Sequence, residues 1–98
     1  MKQKKTTRRK TGKARKIFKS FLWPVQTHVE QVCLAGDFNG WIPMPMGKLD
    51  DGFQAIVDLS PGEYQYKFIV DGEWHEDPAA EKLIPNEFGT ANCVLIVN

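Results

Sequence analysis

The segment from Tyr64 to Trp74 reads YQYKFIVDGEW, and its reading decides the fold. Seven residues suited to a pleated strand run into Asp71-Gly72. A two-residue Asp-Gly between apolar runs predicts a β-hairpin with a type I′ turn, because both turn residues need positive φ. Such a turn sets the register. Val70 opposes Glu73, Ile69 opposes Trp74, Phe68 opposes His75 and Lys67 opposes Glu76. Side chains alternate between faces along a strand. Tyr64, Tyr66, Phe68 and Val70 therefore share one face, which reads as core. Lys67, Ile69 and Trp74 share the other, where a large flat ring stands beside a long cation near the surface.

Working outward, IFKSFLW (17–23) is β-prone and Pro24 ends it or marks an edge. HVEQVCLAG (28–36) alternates and predicts a second strand, with Val32 and Leu34 on one face. GDFNGW (36–41) reads as a turn, and IPMPMGK (42–48) as loop, since two prolines exclude a central strand. GFQAIVDL (52–59) is a strand, and Ser60-Pro61-Gly62 places Pro and Gly as a type II turn wants them. EDPAAEKLIPNEFGT (76–90) is mostly loop, with a short edge strand at Leu83-Ile84, and NCVLIVN (92–98) closes the sheet. Short strands with turn signals between them, and no helical period, predict an all-β antiparallel sandwich. Its 98 residues suffice for one domain with one modest core.

The near-neutral net charge of +1 conceals two unlike parts. Residues 1–22 hold ten Lys and Arg and no acid, while in the remainder three lysines against twelve acids leave −9. Residues 1–16 show no apolar period and are expected to be a disordered basic tail preceding a module over 17–98. Such a run suits a polyanion-binding arm for nucleic acid, an address tag, or a solubilising tail resting on the acidic domain. Neither a secretory signal nor a membrane span is legible, so a cytoplasmic protein is expected. Cys33 and Cys93 lie in separate predicted strands; two buried free thiols or one disulfide both fit the sequence. No Cys/His cluster suggests a metal, and no cofactor is expected.

Taken together, VCLAGDFNGW (32–41), PGEYQYKFIVDGEWHEDP (61–78) and NEFGTANCVLIV (86–97) resemble the α-glucan-binding module of AMP-activated protein kinase β subunits. The same module stands at the front of isoamylases and glycogen-branching enzymes. The resemblance covers residues 17–98. It implies an immunoglobulin-like β-sandwich that binds glycogen or starch, an α-1,4-glucan, without hydrolysing it and docks a partner enzyme on the polymer. It further implies that Trp41 and Trp74 stack on glucose rings, that Lys67 hydrogen-bonds sugar hydroxyls, and that Thr90 and Asn92 contact hydroxyls. Kinase-type modules carry a Leu before Gly-Thr that projects into the glucan helix; this chain has Phe88, bulkier and flatter but equally apolar.

The residue types suit that chemistry independently. A glucose ring has an apolar C–H face and a hydroxyl rim, so an indole covers the one and edge donors address the other. An indole–sugar contact hiding on the order of 50–100 Å² of apolar surface contributes about 1–2.5 kcal/mol. Two platforms with a few exposed hydrogen bonds predict roughly micromolar to millimolar binding, strengthened by repeated sites on a polymer. Trp23, near the domain entrance, reads as structural. Catalysis finds little support. His75-Glu76-Asp77-Pro78 sets an imidazole beside two carboxylates, but adjacent strand residues point to opposite faces. No G-x-S-x-G or phosphate-cradling glycine loop is present. The alternative to a glucan module is a protein-interaction or regulatory-subunit module of the same fold, with the basic tail contacting a polyanion.

Overall fold

A computed structural model describes residues 16–24 and 28–98. The expected tail lies outside the described residues apart from Lys16. The strands are β1 (Ile17–Pro24), β2 (Val32–Gly36), β3 (Met44–Pro45), β4 (Gly47–Leu49) and β5 (Gly52–Leu59), followed by β6 (Gly62–Val70), β7 (Glu73–His75), β8 (Lys82–Pro85) and β9 (Ala91–Val97). They form two antiparallel sheets, one ordered β1-β5-β4 and the other β3-β2-β6-β9-β8, with β7 also paired to β6. Among the described residues no helix is long and apolar enough to cross a membrane.

The core lies between the sheets. Phe21 and Trp23 of β1 and Phe53, Ala55 and Leu59 of β5 meet Val32, Leu34, Tyr66, Phe68 and Val70 of the larger sheet. Trp23 meets Phe68 edge-on at 5.2 Å, and Phe21 meets Tyr66 likewise at 5.0 Å. These T-shaped contacts add to simple burial because ring edges and faces carry opposite partial charge. Trp23 is thus the structural residue its position suggested. Tyr64 donates its hydroxyl to the Ser60 carbonyl four residues back at 2.7 Å. This is the corner by which immunoglobulin-like sandwiches brace a connection between strands. Gly62, at φ 158°, opens β6 directly instead of occupying the third position of a type II turn.

The hairpin folds as its sequence requires. Asp71 (φ 48°) and Gly72 (φ 86°) are both left-handed, and the pairs Val70–Glu73, Ile69–Trp74 and Phe68–His75 form. The fourth expected pair, Lys67–Glu76, does not. The same edge of β6 is taken from Tyr66 downward by β9, with Tyr66 opposite Cys93, so the chain must leave after His75. Lys67 falls in the gap between β7 and β9. The Asp71 carboxylate also accepts the N–H groups of Glu30 and Gln31, the latter at 2.9 Å. That anchors residues 28–31 as a loop, so β2 begins at Val32, four residues later than expected.

Two further differences follow from edges. The stretch read as loop contains β3 and β4, which flank buried Met46, whose N–H reaches the Val32 carbonyl at 2.8 Å. Pro45 is accommodated because β3 is an edge strand, where a missing N–H costs no ladder bond. Both cysteines are free; Cys93 is buried, whereas Cys33 is only half-buried. They flank β6 from opposite sides, Cys33 opposite Ile69 and Cys93 opposite Tyr66, so two strand spacings of roughly 4.8 Å each and three residues of strand rise separate them, too far for a disulfide.

Candidate functional site

Trp41 is positioned by the turn after β2. Asn39 accepts the Gly36 N–H through Oδ1 at 3.0 Å and donates Nδ2 to the Leu34 carbonyl at 3.2 Å. Gly40 (φ 66°) and Trp41 (φ 62°) are successive left-handed residues, which fold the chain back so that Trp41 N–H reaches the Gly36 carbonyl at 3.0 Å. A bulky residue with positive φ is held against its own preference, by roughly 1–2 kcal/mol. Asp37 supplies much of the hold. One carboxylate oxygen accepts the Trp41 indole N–H at 3.0 Å and the other accepts Gln65 N–H of β6 at 2.8 Å. Gly36 is needed for the close pass over β6: a Cβ there would stand 2.7 Å from the Gln65 carbonyl oxygen.

Trp74 comes from the hairpin. Its ring lies 6.4 Å from that of Trp41, tilted by 42°, and it is 51% exposed while Trp41 is half-buried. The two indoles form a bent apolar platform on the outer face of the larger sheet.

Lys67 forms the floor beside it. Sequence placed it near the surface, yet it is only 6% exposed. Its ammonium donates to Thr90 Oγ1 at 3.1 Å, and among the described residues no carboxylate pairs with it. A buried cation needs hydrogen-bond partners, and one of three N–H donors is met by Thr90. The β8–β9 connection closes the far side. Asn86 accepts Phe88 N–H at 2.9 Å and donates to Thr90 Oγ1 at 2.8 Å and to Asn92 Oδ1 at 2.9 Å. Phe88, held on this turn, projects with 82% of its surface exposed. Asn92 then donates to Gln65 Oε1 at 3.0 Å.

All six residues singled out in the sequence, Trp41, Lys67, Trp74, Phe88, Thr90 and Asn92, line a single open concavity of about 790 Å³. Asp37, Gln65, Asn86 and Glu87 complete its lining and were not singled out. In the sequence Asp37 reads as a turn former. Asn86 carries a signal in the spacing Asn-x-x-x-Thr, an amide placed to bond its own backbone two residues on. The arrangement offers apolar ring faces and a row of polar atoms, which suits a flat molecule with a hydroxylated edge.

The His75–Asp77 stretch serves the fold. Asp77 accepts the buried Tyr66 hydroxyl at 2.7 Å and the Ala79 N–H at 2.8 Å, and donates its own N–H to Cys93 Sγ at 3.0 Å. Burial, then the adjoining Asp77 carboxylate, pushes the Tyr66 phenol above its ordinary range. Burial likewise raises the Cys93 thiol. Among the described residues no cluster of three metal-ligating side chains occurs.

This geometry agrees with the chain's likenesses. A family model described as the glycogen recognition site of AMP-activated protein kinase matches residues 19–98. The chain is similar to AMP-activated protein kinase subunit beta-1 of Sus scrofa, with 43% identity over 68 residues, covering 69% of this chain and 55% of that sequence. It is similar to subunit beta-2 of Mus musculus, with 42% identity over 69 residues, covering 69% of this chain and 25% of that protein. The chain thus spans about half the length of the first relative and a quarter of the second. A maltogenic amylase of S. marinus shares the fold with a TM-score of 0.69 at 24% identity, over 89% of this chain and 14% of that one. With a family match across nearly all the described sandwich, this chain belongs to the family of glycogen recognition sites of AMP-activated protein kinase.

Proposed function

We propose that residues 17–98 are a non-catalytic module that binds α-1,4-glucan, as glycogen or starch, in the concavity between Trp41, Trp74 and Phe88. One observation carries the reading. Six residues, drawn from the turn after β2, from β6, from β7 and from the β8–β9 segment, converge on one open surface. Trp41 and Trp74 cover the C–H faces of adjacent glucose units, which their 42° tilt suits because an α-glucan chain curves from one ring to the next. Phe88 meets the chain from the opposite rim. Lys67 and Thr90 address hydroxyls. Each stack contributes about 1–2.5 kcal/mol, so a single site binds weakly and a polymer with many equivalent sites binds more firmly.

The module's task is then to hold an accompanying enzyme of glycogen or starch metabolism on its polymer, in the cytoplasm. The kinase-subunit relatives support a place in a larger assembly. Sedimentation with insoluble starch, against cellulose as control, tests the reading. Retention on starch and not on cellulose is expected; equal loss from both overturns it.

A further inference from the structure

The polar groups of the concavity form one connected chain, and Asn86 is its branch point. Asn86 Oδ1 accepts the backbone N–H of Phe88 at 2.9 Å and of Thr90 at 3.2 Å. Two backbone donors fix which end of the amide is oxygen, so Nδ2 is the end that donates to Thr90 Oγ1 and Asn92 Oδ1. Asn92 Nδ2 passes the same sense on to Gln65 Oε1.

Lone pairs can now be counted. Thr90 Oγ1 has two, taken by Asn86 Nδ2 at 2.8 Å and Lys67 Nζ at 3.1 Å. Its own hydroxyl donates to Asn86 Oδ1 at 3.1 Å, an oxygen that also accepts two backbone N–H groups. Gln65 Oε1 is engaged by Asn92, which leaves its amide nitrogen for the concavity. The donors with capacity to spare are the Lys67 ammonium, Gln65 Nε2 and the second Asn92 Nδ2 hydrogen, while Asn92 Oδ1 and Gln65 Oε1 each keep one lone pair.

We propose that Asn86 is the positioning residue of this site and that Gln65 Nε2 is an additional ligand contact. Asn86 sets the sense of the network so that the floor presents the N–H donors of Lys67 and Gln65 to the ring and hydroxyl oxygens of one glucan chain. This rests on the glucan reading above.

Two isosteric exchanges test it. Asn86→Asp keeps the acceptor for both backbone N–H groups, and so keeps the turn, but sets an acceptor against Thr90 and Asn92 where Nδ2 donated. Gln65→Glu keeps the acceptor for Asn92 and replaces the donor Nε2 by a charged acceptor oxygen. β-Cyclodextrin is titrated by calorimetry into the full chain and both variants, with thermal melts alongside. Each variant is expected to melt within a few degrees of the wild type and to bind about tenfold more weakly. Asn86→Asp should regain affinity relative to the wild type toward about pH 4, where a protonated carboxyl again donates. If the wild type binds and both variants bind as tightly, Asn86 is only a turn cap and the inference fails while the glucan reading stands. If the wild type does not bind, the glucan reading fails and takes the inference with it. Should Asn86→Asp not fold, Gln65→Glu decides, since β6 tolerates an isosteric residue at a half-buried position.

Discussion

The two faces of β6 hold similar side chains under different conditions. On the inner face Tyr66, Phe68 and Val70 are 5%, 0% and 8% exposed, and each ring meets another ring edge-on. On the outer face Lys67 and Ile69 are as deeply buried, at 6% and 8%, yet the rings around them are not. Trp74 and Phe88 turn 51% and 82% of their surface to water. Burial along the strand does not separate core from site here. What separates them is whether the aromatic neighbours have already spent their faces on one another. Inner rings stabilise the fold; outer rings retain apolar area that a ligand can still cover.

The sharpest way to break that contrast is to remove one ring from each side. Trp23→Ala empties an inner position that is 5% exposed and should cost about 3–5 kcal/mol, much of the stability of a domain this size. Urea denaturation reads it, and a loss under 1 kcal/mol would mean that the inner face is not the core. Trp74→Ala should do the reverse. Affinity for β-cyclodextrin falls tenfold or more, corresponding to about 1–2.5 kcal/mol, while the melting temperature changes little. A large drop in melting temperature would show that Trp74 is structural. Unchanged binding with unchanged stability would move the ligand elsewhere, and an interaction-module role would take over.

A smaller effect lies on the inner face and depends on pH. Tyr66 is held neutral in the folded protein, by burial first and by the Asp77 carboxylate second. The unfolded phenol loses its proton near pH 10. Because the folded pKa is raised, the stabilisation is complete below that value and is lost as pH rises above it. Cys93, raised mainly by burial, acts in the same sense from about its ordinary 9.0 upward. Melting temperature should therefore decline through alkaline pH, and Tyr66→Phe should flatten part of the decline. At neutral pH that variant loses the 2.7 Å bond to Asp77, worth about 1 kcal/mol, with glucan binding unaltered. An alkaline profile identical to the wild type would remove Tyr66 from the account.

How much of this was legible varies with the range of the interaction responsible. Asp71-Gly72 set three cross-strand pairs and the face shared by Lys67 and Trp74, because a two-residue turn fixes register locally. The departure at Glu76 was not legible. It depends on β9 arriving, some twenty residues later, at the same edge of β6. The burial of Lys67 depends on the same arrival, since Thr90 comes with β9. The turn signal of Asp71 concerns its backbone alone, but its carboxylate also sets where β2 begins, across 40 residues of chain. The polar floor was half legible. Thr90 and Asn92 followed from resemblance, whereas Asn86 and Gln65 matter for bonds that only the assembled sheet brings together.

The smallest expected effect is a null one, and it separates the sandwich from the arm. Residues 1–22 carry ten positive charges and the rest of the chain a net −9. A neutral polysaccharide has no charge for such a field to steer, so deleting residues 1–15 should leave β-cyclodextrin affinity and starch sedimentation unchanged. A polyanion is different. If the arm binds nucleic acid, each neutralised phosphate releases counterions, and affinity falls steeply as salt is raised. The intact chain should then bind a DNA duplex at low salt and lose it by about 0.2 M, while the truncated chain should not bind at any salt. The double result carries the argument, because the two ligands report on different parts of the chain. Loss of starch binding on truncation would place the arm at the concavity, and the division between a basic arm and a glucan-facing sandwich would have to be withdrawn.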